Sequence, residues 1–196
     1  MRTLFCTLAL AAGALLSTPA QAQMKRPDLP ALDKSPLDLA WLPRDAPFRE
    51  KPTDPTPAAR ILYSRPQKKD RKIFGPDTTF IVPYGKTWRT GANEATELKV
   101  YKPLTLGGKK LAVGTYTLYT IPGEKEWTLI VSSDLDRWGD YAYNQKLDVA
   151  RVKAPVTAAP APTEAFTIAF KDGAKPGAAT LRLVWDTVEV DVPVTY

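Results

Sequence analysis

Beyond residue 60 the apolar positions fall in short runs that alternate with polar ones. No window after residue 22 sustains an apolar 3.6-residue period over three turns. The first run is Arg60, Ile61, Leu62, Tyr63 and Ser64. Residues 78–82 are β-branched and aromatic, and within 96–101 Leu98 and Val100 share one face. Residues 104–111 enclose Gly107-Gly108, a two-residue hairpin signal. In 115–121 Tyr116 and Leu118 share a face and Tyr119 and Ile121 share the other, before Pro122-Gly123 turns the chain into 127–131. Residues 132–146 are irregular and read as a long loop with one helical turn. A strand resumes over 147–152, and the Ala/Pro-rich 154–162 is expected to cross from one sheet to another. The last three runs are 165–170, 181–185 and 188–194, separated by Asp172-Gly173 and Asp186-Thr187. About nine short strands at this spacing predict an all-β fold. We expect a single antiparallel β-sandwich over residues 60–196, jelly-roll or Ig-like, with a barrel as the alternative.

The start of the chain has a different pattern. Met1-Arg2 precedes an apolar run over 4–16 and then Ala20-Gln21-Ala22, the small-x-small signature of a cleavable secretory signal, so residues 1–22 are expected to be a signal peptide. The run is shorter than the roughly 20 residues that span a bilayer, so no stable membrane span is expected. A periplasmic or secreted location follows. Residues 23–59 carry eight prolines with balanced charge and are expected to form an extended arm, in which Leu37, Leu39, Trp41, Leu42 and Phe48 are free to dock on a neighbouring surface.

Composition narrows the chemistry further. The chain has no histidine, which excludes histidine-based triads and histidine-ligated metals. Its one cysteine, Cys6, lies in the expected signal, so thiolate chemistry is excluded from the mature protein. The net charge of +6 is concentrated in residues 60–72, where six basic residues face only Asp70. With export expected, this stretch reads as a solvated connector, and nucleic acid is not a partner. Asp134, Asp136 and Asp140 lack the spacing of a calcium loop, and neither a metal nor a cofactor is assigned.

The strings SRPQKKDRKIFG, VPYGKTWRTGANEAT, LTLGGKKLAVGTYTLYTIPGEKEWTLIVSSDLDRWG and TLRLVWDTVEVDVPV resemble the bacterial family catalogued as domain of unknown function 2911. The resemblance covers residues 60–194. It implies an exported β-rich domain and carries over no catalytic residue. The letters Asn93-Glu94-Ala95-Thr96 do not bring with them the haem-binding module of similar name.

The densest polar chemistry lies in Trp88-Arg89-Thr90-Gly91-Ala92-Asn93-Glu94-Ala95-Thr96. Arg89, Asn93 and Glu94 offer a guanidinium fork, an amide and a carboxylate to a small polar or glycan-like ligand, with Trp88 as a stacking face. Trp138 and Tyr141, in the irregular loop, are expected to be exposed, whereas Tyr116, Trp127 and Trp185 are expected in the core. Three readings compete. One is a non-catalytic binding module. The second is a carboxylate-dependent hydrolase pairing Glu94 with Asp134, Asp136 or Asp140. The third is a structural envelope protein in which Arg89 and Glu94 pair across a turn at Gly91.

Overall fold

Ile61 and Tyr63, Leu98 and Val100, Tyr116 and Leu118, and Leu129 and Val131 are all buried, each pair two residues apart on its strand. That alternation puts them on the inner face of one layer of a β-sandwich. The structure is a computed structural model and describes residues 29–196; the expected signal peptide lies outside the described residues. Asp33–Tyr196 is one compact unit.

The strands are β1 (Leu37–Leu42), β2 (Ala59–Ser64), β3 (Phe74–Gly75), β4 (Val82–Pro83), β5 (Ala92–Val100), β6 (Leu104–Leu106), β7 (Lys109–Leu111), β8 (Gly114–Ile121), β9 (Glu126–Ser132), β10 (Asp148–Asp172) and β11 (Ala178–Thr195). Hydrogen bonding runs in the order β1-β2-β5-β8-β9-β10-β11-β6-β7, antiparallel throughout, and β3 and β4 form a separate parallel pair. The large sheet does not close on itself, which removes the barrel alternative.

One long strand leads from the first layer into the second, which β11, β6 and β7 complete. Residues 148–155 of β10 pair with β9, and residues 156–172 pair with β11. The expected crossing at 154–162 is therefore made inside a continuous strand rather than by a loop. The register slips between Ala158 and Thr163, and Pro160 and Pro162 sit in that slip, where no ladder donor is needed. The expected runs 181–185 and 188–194 are likewise one strand, β11, with Asp186 at φ 53 opposite Thr163. Of the expected strand at residues 78–82 only Val82 enters one, the short β4. Asp77 accepts bonds from both the backbone N and the Oγ1 of Thr79, and this local turn outcompetes β propensity.

The Pro-rich stretch is partly built into the sheet. Leu37–Leu42 pairs with β2 residue by residue, and Leu42 is fully buried. Pro36 and Pro43 flank this strand and leave its ladder uninterrupted. The basic connector is also less solvated than expected. Arg60 pairs with Glu97 at 3.0 Å, Arg65 with Asp38 at 2.8 Å and Lys68 with Asp186 at 2.5 Å. The first two join neighbouring strands of one layer, whereas Lys68–Asp186 and the bonds that Arg65 donates to Phe166 O and Thr167 Oγ1 reach the other.

The core between the layers is aromatic. Trp88 stacks on Trp185 with centroids 5.9 Å apart and planes at 16°, and meets Trp127 and Phe166 edge-on at 6.1 and 4.9 Å. Tyr116, Trp127 and Trp185 are buried as expected. Tyr63 spans the layers, its hydroxyl donating to Ile168 O (3.1 Å) and accepting from Ile168 N (2.9 Å).

Candidate functional site

The 88–96 string builds a wall, and most of its polar atoms are spent on doing so. Trp88 and Thr120 exchange backbone bonds at 2.7 and 2.9 Å, and Trp88 Nε1 donates to Gly91 O at 3.1 Å. Thr90 Oγ1 bonds Thr120 Oγ1 at 3.1 Å, Thr96 Oγ1 donates to Thr90 O at 2.7 Å, and Thr96 N donates to Arg89 O at 3.1 Å. Gly91 is pressed against β2, and a Cβ there would lie 2.8 Å from Ser64 O. Thr90 and Asn93 take left-handed φ values of 58 and 59. Ladder pairing between β2 and β5 jumps from Ser64↔Ala92 to Leu62↔Glu97, so residues 93–96 swing out as a bulge.

The bulge gains a new partner in the long loop. Gly139 N donates to Asn93 O at 3.0 Å and Ala95 N donates to Arg137 O at 2.9 Å, with Glu94 and Trp138 opposite each other in an antiparallel bridge. The loop itself, residues 133–147, lies over the outer face of β8 and β9. Tyr119, on that face, is 1% exposed and meets Tyr143 at 5.3 Å. Thr117 Oγ1 donates to Asp134 O at 2.5 Å, and Arg137 Nε to Asp134 Oδ1 at 2.8 Å. Burial, followed by the nearby Asp134 carboxylate, pushes the Tyr119 hydroxyl above its ordinary value. The Tyr119 hydroxyl and Asp134 Oδ2 are buried without a hydrogen-bond partner.

Arg89 fastens the loop to the wall. Its guanidinium donates to Asn93 O at 3.1 Å and to the Tyr141 hydroxyl at 3.3 Å, lies 3.6 Å from Asp140 Oδ1, and sits 5.2 Å from the Tyr141 ring centroid. The expected Arg89–Glu94 pair is not formed. The left-handed turn at Asn93 sends Glu94 away to face Trp138, and Arg89 takes Asp140 instead.

Between the bulge and the sheet lies a groove of about 380 Å³. Leu62 and Thr117 line it from the sheet, Glu94 and Glu97 from β5, and Leu135, Asp136 and Trp138 from the loop. Glu94 is exposed, and so is Trp138 at 61%. A larger hollow of about 580 Å³, bordered by Arg44, Asp45, Lys102, Asp172 and Tyr196, contains none of the 88–96 residues.

The family described as a protein of unknown function (DUF2911) matches residues 53–194, well over half the chain. The chain belongs to the DUF2911 family. No curated protein and no solved structure matches it.

Within this DUF2911 domain the expected site residues separate into distinct roles. Trp88 is 7% exposed and belongs to the core, so it offers no stacking face; as an apolar ring beside the β8 bridge it points between the layers. Arg89 and Tyr141 form the clamp, with Tyr141 81% exposed and outside the groove lining. Asn93 shapes the bulge, and the Asp33 carboxyl is held below its ordinary value, first by the Ser35 backbone N–H and then by the Asn93 side chain. Glu94 and Trp138 remain on the groove together. Of the three aspartates weighed as partners for Glu94, Asp134 is taken by Arg137, Asp140 by Arg89, and only Asp136 shares the groove. Among the described residues no group of three or more carboxylates is placed to hold a metal ion.

Leu62, Glu97 and Thr117 were missed as groove residues. Each is out of phase with a buried neighbour, so alternation marks them as outer-face positions. Their juxtaposition depends on β2, β5 and β8 being neighbours, which alternation does not encode.

Proposed function

We propose that this DUF2911 chain is an exported, non-catalytic binding module that takes a polar or glycan-like ligand in the groove beside Glu94 and Trp138. One observation carries the reading: in a string whose other polar side chains serve the wall and clamp, Glu94 alone is turned outward, and it faces an exposed indole. An open groove with a flat aromatic and a few polar groups is the form that small-ligand sites take. A screen of immobilised glycans with the wild type, Trp138→Ala and Glu94→Gln tests it. Binding that both variants lose, at unchanged melting temperature, is the expected result. Retained binding in Trp138→Ala removes this groove from consideration.

A second reading, a hydrolase using Glu94, draws support from Asp136 on the same groove. A glycosidase acid is held in a water-poor setting, whereas Glu94 is exposed, which favours the binding reading. Product release from bound glycans, lost in Glu94→Gln, would reverse that preference.

A further inference from the structure

Resting on the groove reading, we infer that the ligand is positively charged: an amino sugar whose ammonium lies between Glu94 and Asp136 and whose ring covers Trp138. The argument starts from charge balance. The groove is lined by the carboxylates of Glu94, Glu97 and Asp136 and by the guanidinium of Arg137. Arg137 is committed to Asp134, with Nε at 2.8 Å and a terminal nitrogen at 2.7 Å from the same oxygen. Glu97 is committed to Arg60. Glu94 and Asp136 have no ion-pair partner among the described residues. The groove therefore carries two unbalanced negative charges on a protein whose formal charge is +6.

An anion is repelled by this arrangement, and a neutral ligand leaves both charges unmatched. An ammonium group is attracted by the carboxylates and by the negative face of the indole. Trp138 and Glu94 are directly opposed across their bridge, so their side chains leave the same face and converge on one ligand. The ring is assigned from the shape of the site. A flat, exposed indole and the apolar flanks of Leu62 and Leu135 suit a pyranose face, and the volume is that of a small-molecule pocket.

The test uses the purified protein and three probes: a glucosamine tetramer, the N-acetylglucosamine tetramer with the same backbone and no charge, and tetralysine. Binding is read by calorimetry and tryptophan emission. The glucosamine tetramer is expected to bind about tenfold or more tightly than either other probe. Its affinity should fall as sodium chloride rises from about 0.05 to about 0.5 M, because exposed charges are screened. The double variant Glu94→Gln/Asp136→Asn should lose the preference for the charged sugar, and Trp138→Ala should weaken both sugars, with melting temperatures unchanged. Equal affinity for the two sugar tetramers overturns the charge assignment and leaves the groove reading standing. Tetralysine binding as tightly as glucosamine overturns the sugar assignment. No response to any probe overturns the inference, and the groove reading falls with it only if the glycan screen also finds nothing that depends on Trp138.

Discussion

Glu94 and Trp138 oppose each other in an antiparallel bridge that belongs to neither sheet. The bridge exists because β5 leaves β2 for four residues, and it leaves β2 where Asn93 takes a left-handed φ just after Gly91 has pressed against Ser64 O. The polar string is thus chiefly a device for displacing one carboxylate from the sheet and setting it beside an exposed ring.

If Arg89 is the clamp and Glu94 the exposed ligand group, their variants separate in stability. Arg89→Ala removes two hydrogen bonds and a carboxylate contact at a half-buried position and should cost about 1–3 kcal/mol. Glu94→Gln should stay within about 0.5 kcal/mol of wild type. Denaturant titration of both, with amide exchange over residues 137–147 to detect loop release in Arg89→Ala, decides the matter. A large loss for Glu94→Gln would make it architecture.

Gly91→Ala places a methyl 2.8 Å from the carbonyl oxygen of Ser64, a backbone atom that cannot rotate away. Destabilisation of about 1–3 kcal/mol is expected, the usual cost of overpacking. Thermal melting checks it. Groove binding should weaken as well, since the bulge is displaced.

Tyr63→Phe removes the hydroxyl that serves both the N–H and the C=O of Ile168 across the layers. With a buried donor and acceptor left unmatched, the variant should lose about 1–3 kcal/mol. Urea unfolding measures it, and a loss below about 0.5 kcal/mol would mean that water replaces the hydroxyl.

Tyr119 governs an alkaline limb. Its hydroxyl is raised above the ordinary value of 10.0, first by burial and then by Asp134. The unfolded chain therefore releases this proton before the folded one does. Its contribution is fully present below the unfolded value and is lost as pH rises from there through the raised folded value. Tyr63 and Tyr143 are raised in the same direction. Melting temperature should fall steeply above about pH 10. Tyr119→Phe, which deletes a buried hydroxyl without a partner, should flatten that fall and leave neutral stability equal or higher.

The alternation of apolar residues was enough to specify an all-β sandwich, the positions of β2, β5, β6 to β9 and the inner faces of the layers, because a half-buried strand repeats every two residues whatever its neighbours are. The density of polar groups marked the 88–96 string as unusual. What each member of that string does was settled by strand order and backbone path. Trp88 became core because its bridge to Thr120 points it between the layers, and Arg89 found Asp140 because Asn93 turned Glu94 away. The two misread segments failed for different reasons, one local and one tertiary. Asp77 closed a local turn where propensity favoured a strand, and the Ala/Pro segment stayed extended because two different neighbours accept its two halves. Period and composition are local properties and survive in the sequence. Register, bulges and the meeting of Glu94 with Trp138 are relations between segments distant in the chain, and only tertiary packing decides them.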